Sequence, residues 1–128
     1  MKKIYPAVFS EEEAGGYYIQ FPDLEGNGTQ GDTLEEGLDF ASDYLGIVLS
    51  DLVEHNESLP KPSNIKDISV KDDEFVTLIE VDLSEYIQDN RLSRTNTNIP
   101  VWLKTRAEKQ GINFSKLLTE ALMNKLEV

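Results

Sequence analysis

The chain has 128 residues, enough for one domain or for a compact domain with a small module attached. It contains no cysteine, which excludes disulfides and cysteine-based zinc or iron–sulfur sites, and its single histidine, His55, leaves little room for histidine chemistry. The formal net charge of −12 argues, taken alone, against nucleic-acid binding, since phosphate contacts need cations. That charge is unevenly spread. Residues 1–90 carry 5 Lys/Arg and 21 Asp/Glu, a net −16, whereas residues 91–128 carry 7 and 3, a net +4. The chain reads as an acidic body with a basic tail, and the two parts are expected to meet different partners. It has no run of 18 apolar residues, and the start Met1-Lys2-Lys3-Ile4-Tyr5-Pro6 lacks the apolar stretch of a signal peptide. A cytoplasmic address is therefore expected.

Lys2–Phe9 reads as a strand with apolar residues on both sides, Ile4 and Val8 against Tyr5, Ala7 and Phe9. Pro6 within it points to an edge or a bulge. Ser10–Gly16 is a polar turn, and Tyr17–Phe21 alternates as a second strand, so the pair reads as a β-hairpin. Asn27–Gly31 is a candidate third strand. A helix opens at Thr33. This residue caps the first turn, and Glu36 is expected to reach back to its amide. Leu34, Leu38, Ala41, Leu45, Val48, Leu49 and Leu52 then repeat at helical spacing and read as a core face. Gly37 and Gly46 each cost this helix roughly 1 kcal/mol relative to alanine, so close packing on the sheet is expected there. Ser58–Ser63 breaks the helix, and Phe75–Asp82 supplies a further strand. The body therefore reads as α+β: a small sheet covered by one helix over residues 1–83, followed by a linker at 84–93.

Residues 94–128 follow a different pattern. Arg94–Ile99 alternates and precedes Pro100, which is expected at the first helical position. A helix runs to about Gln110, Gly111 ends it, and Asn113 caps a second helix with Leu117, Leu118, Ala121, Leu122 and Leu126 on its apolar face. One strand and two short helices in so few residues cannot bury enough surface alone, since below ~40 residues extra support is usual. The strand would also carry an unpaired edge. Pairing two chains solves both problems. This segment resembles a ribbon-helix-helix DNA-binding domain, in which a two-stranded ribbon enters the major groove. Counting back from the proline, the resemblance implies that Thr95, Thr97 and Ile99 face the dimer core with Leu103, Leu118 and Leu122. Arg94, Asn96 and Asn98 then face the bases. Those residue types suit the task, because Asn pairs with adenine and Arg with guanine, at roughly 1–3 kcal/mol of discrimination each. Asn113, Ser115 and Lys116 would bring amides and a cation to a phosphate.

Residues 1–82 carry Tyr5–Phe9, the string Gly16–Gly26 containing Phe21-Pro22-Asp23-Leu24, the string Thr29–Leu38, and Leu59-Pro60-Lys61-Pro62-Ser63. On these motifs the chain resembles the HicB antitoxin family. The resemblance implies a partial ribonuclease-H-like body, a partner that is a small basic HicA-type toxin cleaving mRNA, repression of the operon through operator DNA, and a homodimer or higher oligomer. An acidic body suits a basic partner, because opposite fields speed encounter.

A ribonuclease-H-like body raises the question of metal-dependent hydrolysis, which needs clustered carboxylates around two metals. Asp32, Glu35 and Glu36 are explained as helix-start residues, Asp23 as a turn residue and Asp39 as part of a solvated helix face. Glu11-Glu12-Glu13 reads as a solvated turn, His55 as a cation favouring the helix C-terminus, and Trp102 as partly buried at a boundary. No catalytic residue, metal site or cofactor is assigned. A binding protein is thus the leading reading. A ligand-sensing ribbon-helix-helix repressor and a metal-dependent nuclease are the alternatives.

Overall fold

In the computed structural model, which describes residues 1–128, the N-terminal alternation becomes a ten-residue strand, β1 (Lys2–Glu11). It pairs antiparallel with β2 (Tyr17–Gln20), which pairs antiparallel with β3 (Thr29–Gly31). After the helix α1 (Leu34–Glu54), the strand β4 (Glu74–Asp82) returns antiparallel along the whole of β1. The sheet order is β3-β2-β1-β4. The chain divides into two units, Met1–Gln88 and Asp89–Val128.

Pro6 shows how a proline fits an inner strand. The Glu11 amide donates to the Asp73 carbonyl at 2.9 Å, so by alternation the amides of Phe9, Ala7 and Tyr5 also point to β4. Position 6 points the other way, and pairing with β2 begins only at Val8. The missing N–H therefore falls where no neighbouring strand needs it, and no bulge is required.

The helix starts as its residues dictate, with one shift. Thr33 Oγ1 accepts from the Glu36 amide at 3.1 Å, but the Glu36 carboxylate returns to the amide of Asp32 at 3.3 Å rather than to that of Thr33. The core lies between α1 and one face of the sheet. Ala41, Leu45 and Leu49 are fully buried against Tyr5, Ala7, Phe9, Ile19, Phe21, Ile79 and Val81. Each large side chain so buried contributes on the order of 1.5–3 kcal/mol. The expected stripe is wider than the real core face. Leu34 and Leu38 remain 42 % and 39 % exposed, because the first turns of α1 lie over β3, a three-residue edge strand offering little cover. Gly37 packs closely on the sheet, against Ile19 and Phe9, whereas Gly46 instead receives the ring of Tyr86.

That contact moves the boundary of the body. Leu83–Glu85 forms a 3-10 turn, Leu83 is fully buried, and Tyr86 and Ile87 pack on the core. The first unit runs to Gln88, so residues 84–88 belong to the body and not to a linker.

In the second unit, the chain from 89 to 100 forms neither helix nor strand, so the strand read at 94–99 is not formed within one chain. A lone strand has no ladder to join. The helix α2 spans Val101–Lys109, with Pro100 at its N-cap (ψ 142°) and not at the first helical position. The Pro100 carbonyl accepts from the amides of Leu103 and Lys104, both at 3.1 Å. Gly111, at φ +69°, closes α2: its amide reaches the Glu108 carbonyl at 3.0 Å and the Ile112 amide reaches that of Ala107 at 3.1 Å. This is the paired closure that a left-handed residue after a helix permits. Asn113 then caps α3 (Phe114–Leu126), its Oδ1 accepting from the Lys116 amide at 3.0 Å.

Candidate functional site

Two surfaces stand out, one in each unit. In the second unit no residue is buried. The apolar residues read as a dimer core are all open: Leu118 is 37 % exposed, Leu103 41 %, Ile99 44 % and Leu122 51 %. Thr95 and Thr97 are exposed too, and Trp102 is 64 % exposed where partial burial was expected. The unit therefore has helices with good caps but no core of its own.

The residues read as DNA-facing occupy two places. Arg94, Asn96 and Asn98 lie in the irregular segment before α2, all exposed. Asn113, Ser115 and Lys116 lie at the start of α3. Here the Asn113 side chain is already engaged as a cap, so what this turn offers outward is the Phe114 and Ser115 amides and the Lys116 ammonium. Neither group makes an ion pair, and the second unit's pairs are Arg91 with Asp89 at 2.9 Å and Lys104 with Glu108 at 3.9 Å.

In the body, the carboxylates are distributed over structural tasks. Glu74 accepts from the Lys71 amide and the Ser10 hydroxyl, both at 2.9 Å, and these two bonds hold it below the usual glutamate range. Asp82 accepts from the Ser84 hydroxyl at 2.7 Å and its amide at 3.0 Å, which likewise lowers it, with the N-terminal ammonium 3.6 Å away. Asp43 accepts from the Tyr86 hydroxyl at 2.9 Å; burial first, and then this bond, raises the tyrosine. Glu54 accepts from the Gln88 amide at 2.9 Å. Asp32, Glu35 and Asp39 are exposed on or before α1. No three acidic or histidine side chains converge as a metal site would.

One arrangement was not legible from the separate motifs. Asp23, in the turn after β2, accepts from both the Ser63 amide (2.8 Å) and the Ser63 hydroxyl. Nearby in sequence, the Pro60 carbonyl receives the Tyr5 hydroxyl. The segment after α1 is thus tied to the β2 turn and to β1, across 40 and 55 residues. In the sequence, Phe21-Pro22-Asp23 and Leu59-Pro60-Lys61-Pro62-Ser63 stand only as two separate strings that carry the family resemblance. Beside these ties lies an open groove of about 840 Å³, lined by Asp23, Glu25, Asp51, Glu54 and Glu57 together with Tyr44, Ile47 and Tyr86. No Lys, Arg or His lines it.

No helix is long and apolar enough to cross a membrane. Residues 5–121 match the family described as HicB_like antitoxin of bacterial toxin-antitoxin system. The chain is 41 % identical over 61 residues to Antitoxin HicB 1 of Photorhabdus laumondii, an alignment that takes in 48 % of this chain and 39 % of that protein. The match thus spans about two fifths of that relative's length. A solved structure, the toxin-antitoxin complex from Streptococcus pneumoniae, contains a chain that is 32 % identical. It superposes with a TM-score of 0.65 over 98 % of this chain and 99 % of its own. The antitoxin HicB of Burkholderia pseudomallei, 20 % identical, shares the fold with a TM-score of 0.63 over 97 % and 98 % of the two chains. The family match covers the sheet, α1, α2 and most of α3, and the chain belongs to the HicB-like antitoxins of bacterial toxin–antitoxin systems.

Proposed function

We propose that this chain neutralises a small basic HicA-type toxin through its acidic body and represses its own operon as a dimer bound to operator DNA through residues 94–128. The observation that carries the reading is the division of charge and burial between the units. The body, Met1–Gln88, has a complete core and 5 Lys/Arg against 20 Asp/Glu, a net −15, which suits a cationic protein partner. The second unit, Asp89–Val128, has 7 Lys/Arg against 4 Asp/Glu, a net +3, and no buried residue, which suits a second copy of itself and a polyanion.

In this reading two copies align their 94–99 segments as an antiparallel ribbon. Ile99, Leu103, Leu118 and Leu122 then close over one another, with Thr95 and Thr97 beneath the ribbon. Arg94, Asn96 and Asn98 stand on the outer face, where Arg and Asn read guanine and adenine edges. The start of α3 sets Ser115 and Lys116 against a phosphate. The complex from Streptococcus pneumoniae, by its title an assembly of toxin with antitoxin, supports a toxin as a partner of this chain.

The test is a pair of variants, Arg94→Ala and Asn96→Ala. Each should abolish specific operator binding in a mobility-shift assay while growth rescue from the toxin stays intact. Loss of rescue together with DNA binding would mean that the two tasks do not divide between the units as stated.

A further inference from the structure

The outward side of α1 is not an ordinary solvated helix face. At 3.6 residues per turn, positions 36, 40, 43, 47, 51 and 54 fall in one stripe. Here they are Glu36, Phe40, Asp43, Ile47, Asp51 and Glu54. Phe40 and Ile47 stand two turns apart and are 46 % and 55 % exposed. A helix that packs on a sheet through Ala41, Leu45 and Leu49 has no folding need for large apolar groups on its opposite side. Each of the two lies between carboxylates, and the whole of α1 carries six Asp and Glu and no Lys or Arg. Ile47, Asp51 and Glu54 also line the open groove, so the stripe continues into a concave surface.

We infer that this face of α1 is the seat of the basic toxin partner, with Phe40 and Ile47 as apolar anchors and the flanking carboxylates as a rim that meets Lys and Arg. The inference rests on the body being the toxin-binding unit. Apolar anchors inside a charged rim are how protein interfaces concentrate affinity. Charge selects the occupant. A second copy would bring another body of net −15 against this surface, and nucleic acid or an anionic membrane would be repelled in the same way. A cationic protein surface with apolar side chains of its own fits both features at once.

Calorimetric titration of the full chain with a catalytically inactive form of its proposed HicA-type toxin tests this. Ile47→Lys and Asp51→Lys should each weaken binding at least tenfold, and Phe40→Ser severalfold. Leu78→Ser, on the sheet face away from α1, should stay within twofold of the parent. Higher salt should weaken the parental complex. Unchanged affinity in the α1 variants, or a loss confined to Leu78→Ser, overturns the assignment while leaving the antitoxin reading in place. Absence of binding by the parental chain overturns the antitoxin reading itself, and the assignment with it. Should a variant unfold, hydrogen exchange on the parental chain decides: toxin should slow exchange within residues 36–54, and unchanged exchange there overturns the proposal. Self-association of the free chain that Ile47→Lys abolishes would also overturn it, by making the face an interface between copies.

Discussion

Gly31 on β3 and Gly37 on α1 meet backbone to backbone: a Cβ on Gly31 would stand 2.6 Å from the Gly37 nitrogen and 2.7 Å from its Cα. Neither side can yield cheaply, since one belongs to a paired strand and the other to the first turns of a helix. Gly31→Ala should therefore push β3 away from α1 and cost about 1–3 kcal/mol, the usual price of overpacking. Gly37→Ala meets only side-chain atoms, Ile19 Cδ1 at 3.2 Å and Phe9 Cε2 at 3.3 Å, and gains roughly 1 kcal/mol of helix propensity. Urea unfolding should rank Gly31→Ala as clearly the more destabilising. Equal losses would show that the strand shifts freely.

The tie between Asp23 and Ser63 makes a second stability test. It holds the segment after α1 onto the turn after β2 by two hydrogen bonds to one half-buried carboxylate. Asp23→Ala removes both and should cost about 1 kcal/mol. Ser63→Ala removes only the hydroxyl bond and should cost less. Thermal melts of the two variants and of the double variant check this. The double should add little beyond Asp23→Ala, because the partners are shared.

Local rules made much of this fold legible and left long-range contacts hidden. The Thr33 cap, the Asn113 cap and the Gly111 terminus are decided within four or five residues, and all three stand where the sequence puts them. The antiparallel hairpin of β1 and β2 follows from alternation and a glycine turn. Leu34 and Leu38 misled because periodicity reports which side of a helix is apolar, not how far the sheet extends beneath it. Tyr86 was invisible for the opposite reason. Its burial depends on the ring reaching Gly46, 40 positions back, and no pattern within Ser84–Ser93 announces that. At the candidate surfaces, the residue types of 94–99 are readable, but no strand forms there in the single chain. Phe40 and Ile47 are not distinguished in the sequence, because an exposed apolar residue is defined only once the fold shows which side faces water.

The apolar face of the second unit yields a third expectation. Leu118 and Leu122 are open in a single chain, and in the proposed dimer association supplies the core that the unit lacks. Sedimentation of the full chain at micromolar concentration should give at least a dimer. Leu122→Lys should shift it at least tenfold toward the monomer and remove operator binding, while the body keeps its melting transition. A parental monomer at that concentration would sink the proposed ribbon.

His55, the chain's only histidine, gives the last expectation, and its sign follows from its surroundings. Its Nδ1 lies 2.8 Å from the Asp51 carbonyl oxygen and 3.2 Å from the Asp51 carboxylate. The carbonyl most, then that carboxylate, and more weakly Glu57 and Glu54, raise its pKa above 6.5. A group raised on folding stabilises the protein fully below its unfolded value and ceases to do so as pH rises through its folded value. The protonated ring at the C-terminus of α1 should therefore favour the fold below pH 6.5 and lose that effect on the alkaline side of its own titration. The contribution is small, because the two side chains are 67 % and 70 % exposed. Proton NMR reads the ring directly, with no other histidine to confuse it. Its midpoint should lie above 6.5, and Asp51→Asn should lower it only partway, since the stronger carbonyl contact survives. His55→Gln should depress the melting temperature at pH 6 and leave it unchanged well above the titration. A midpoint at or below 6.5 would mean that the ring does not hold its place against Asp51 in solution.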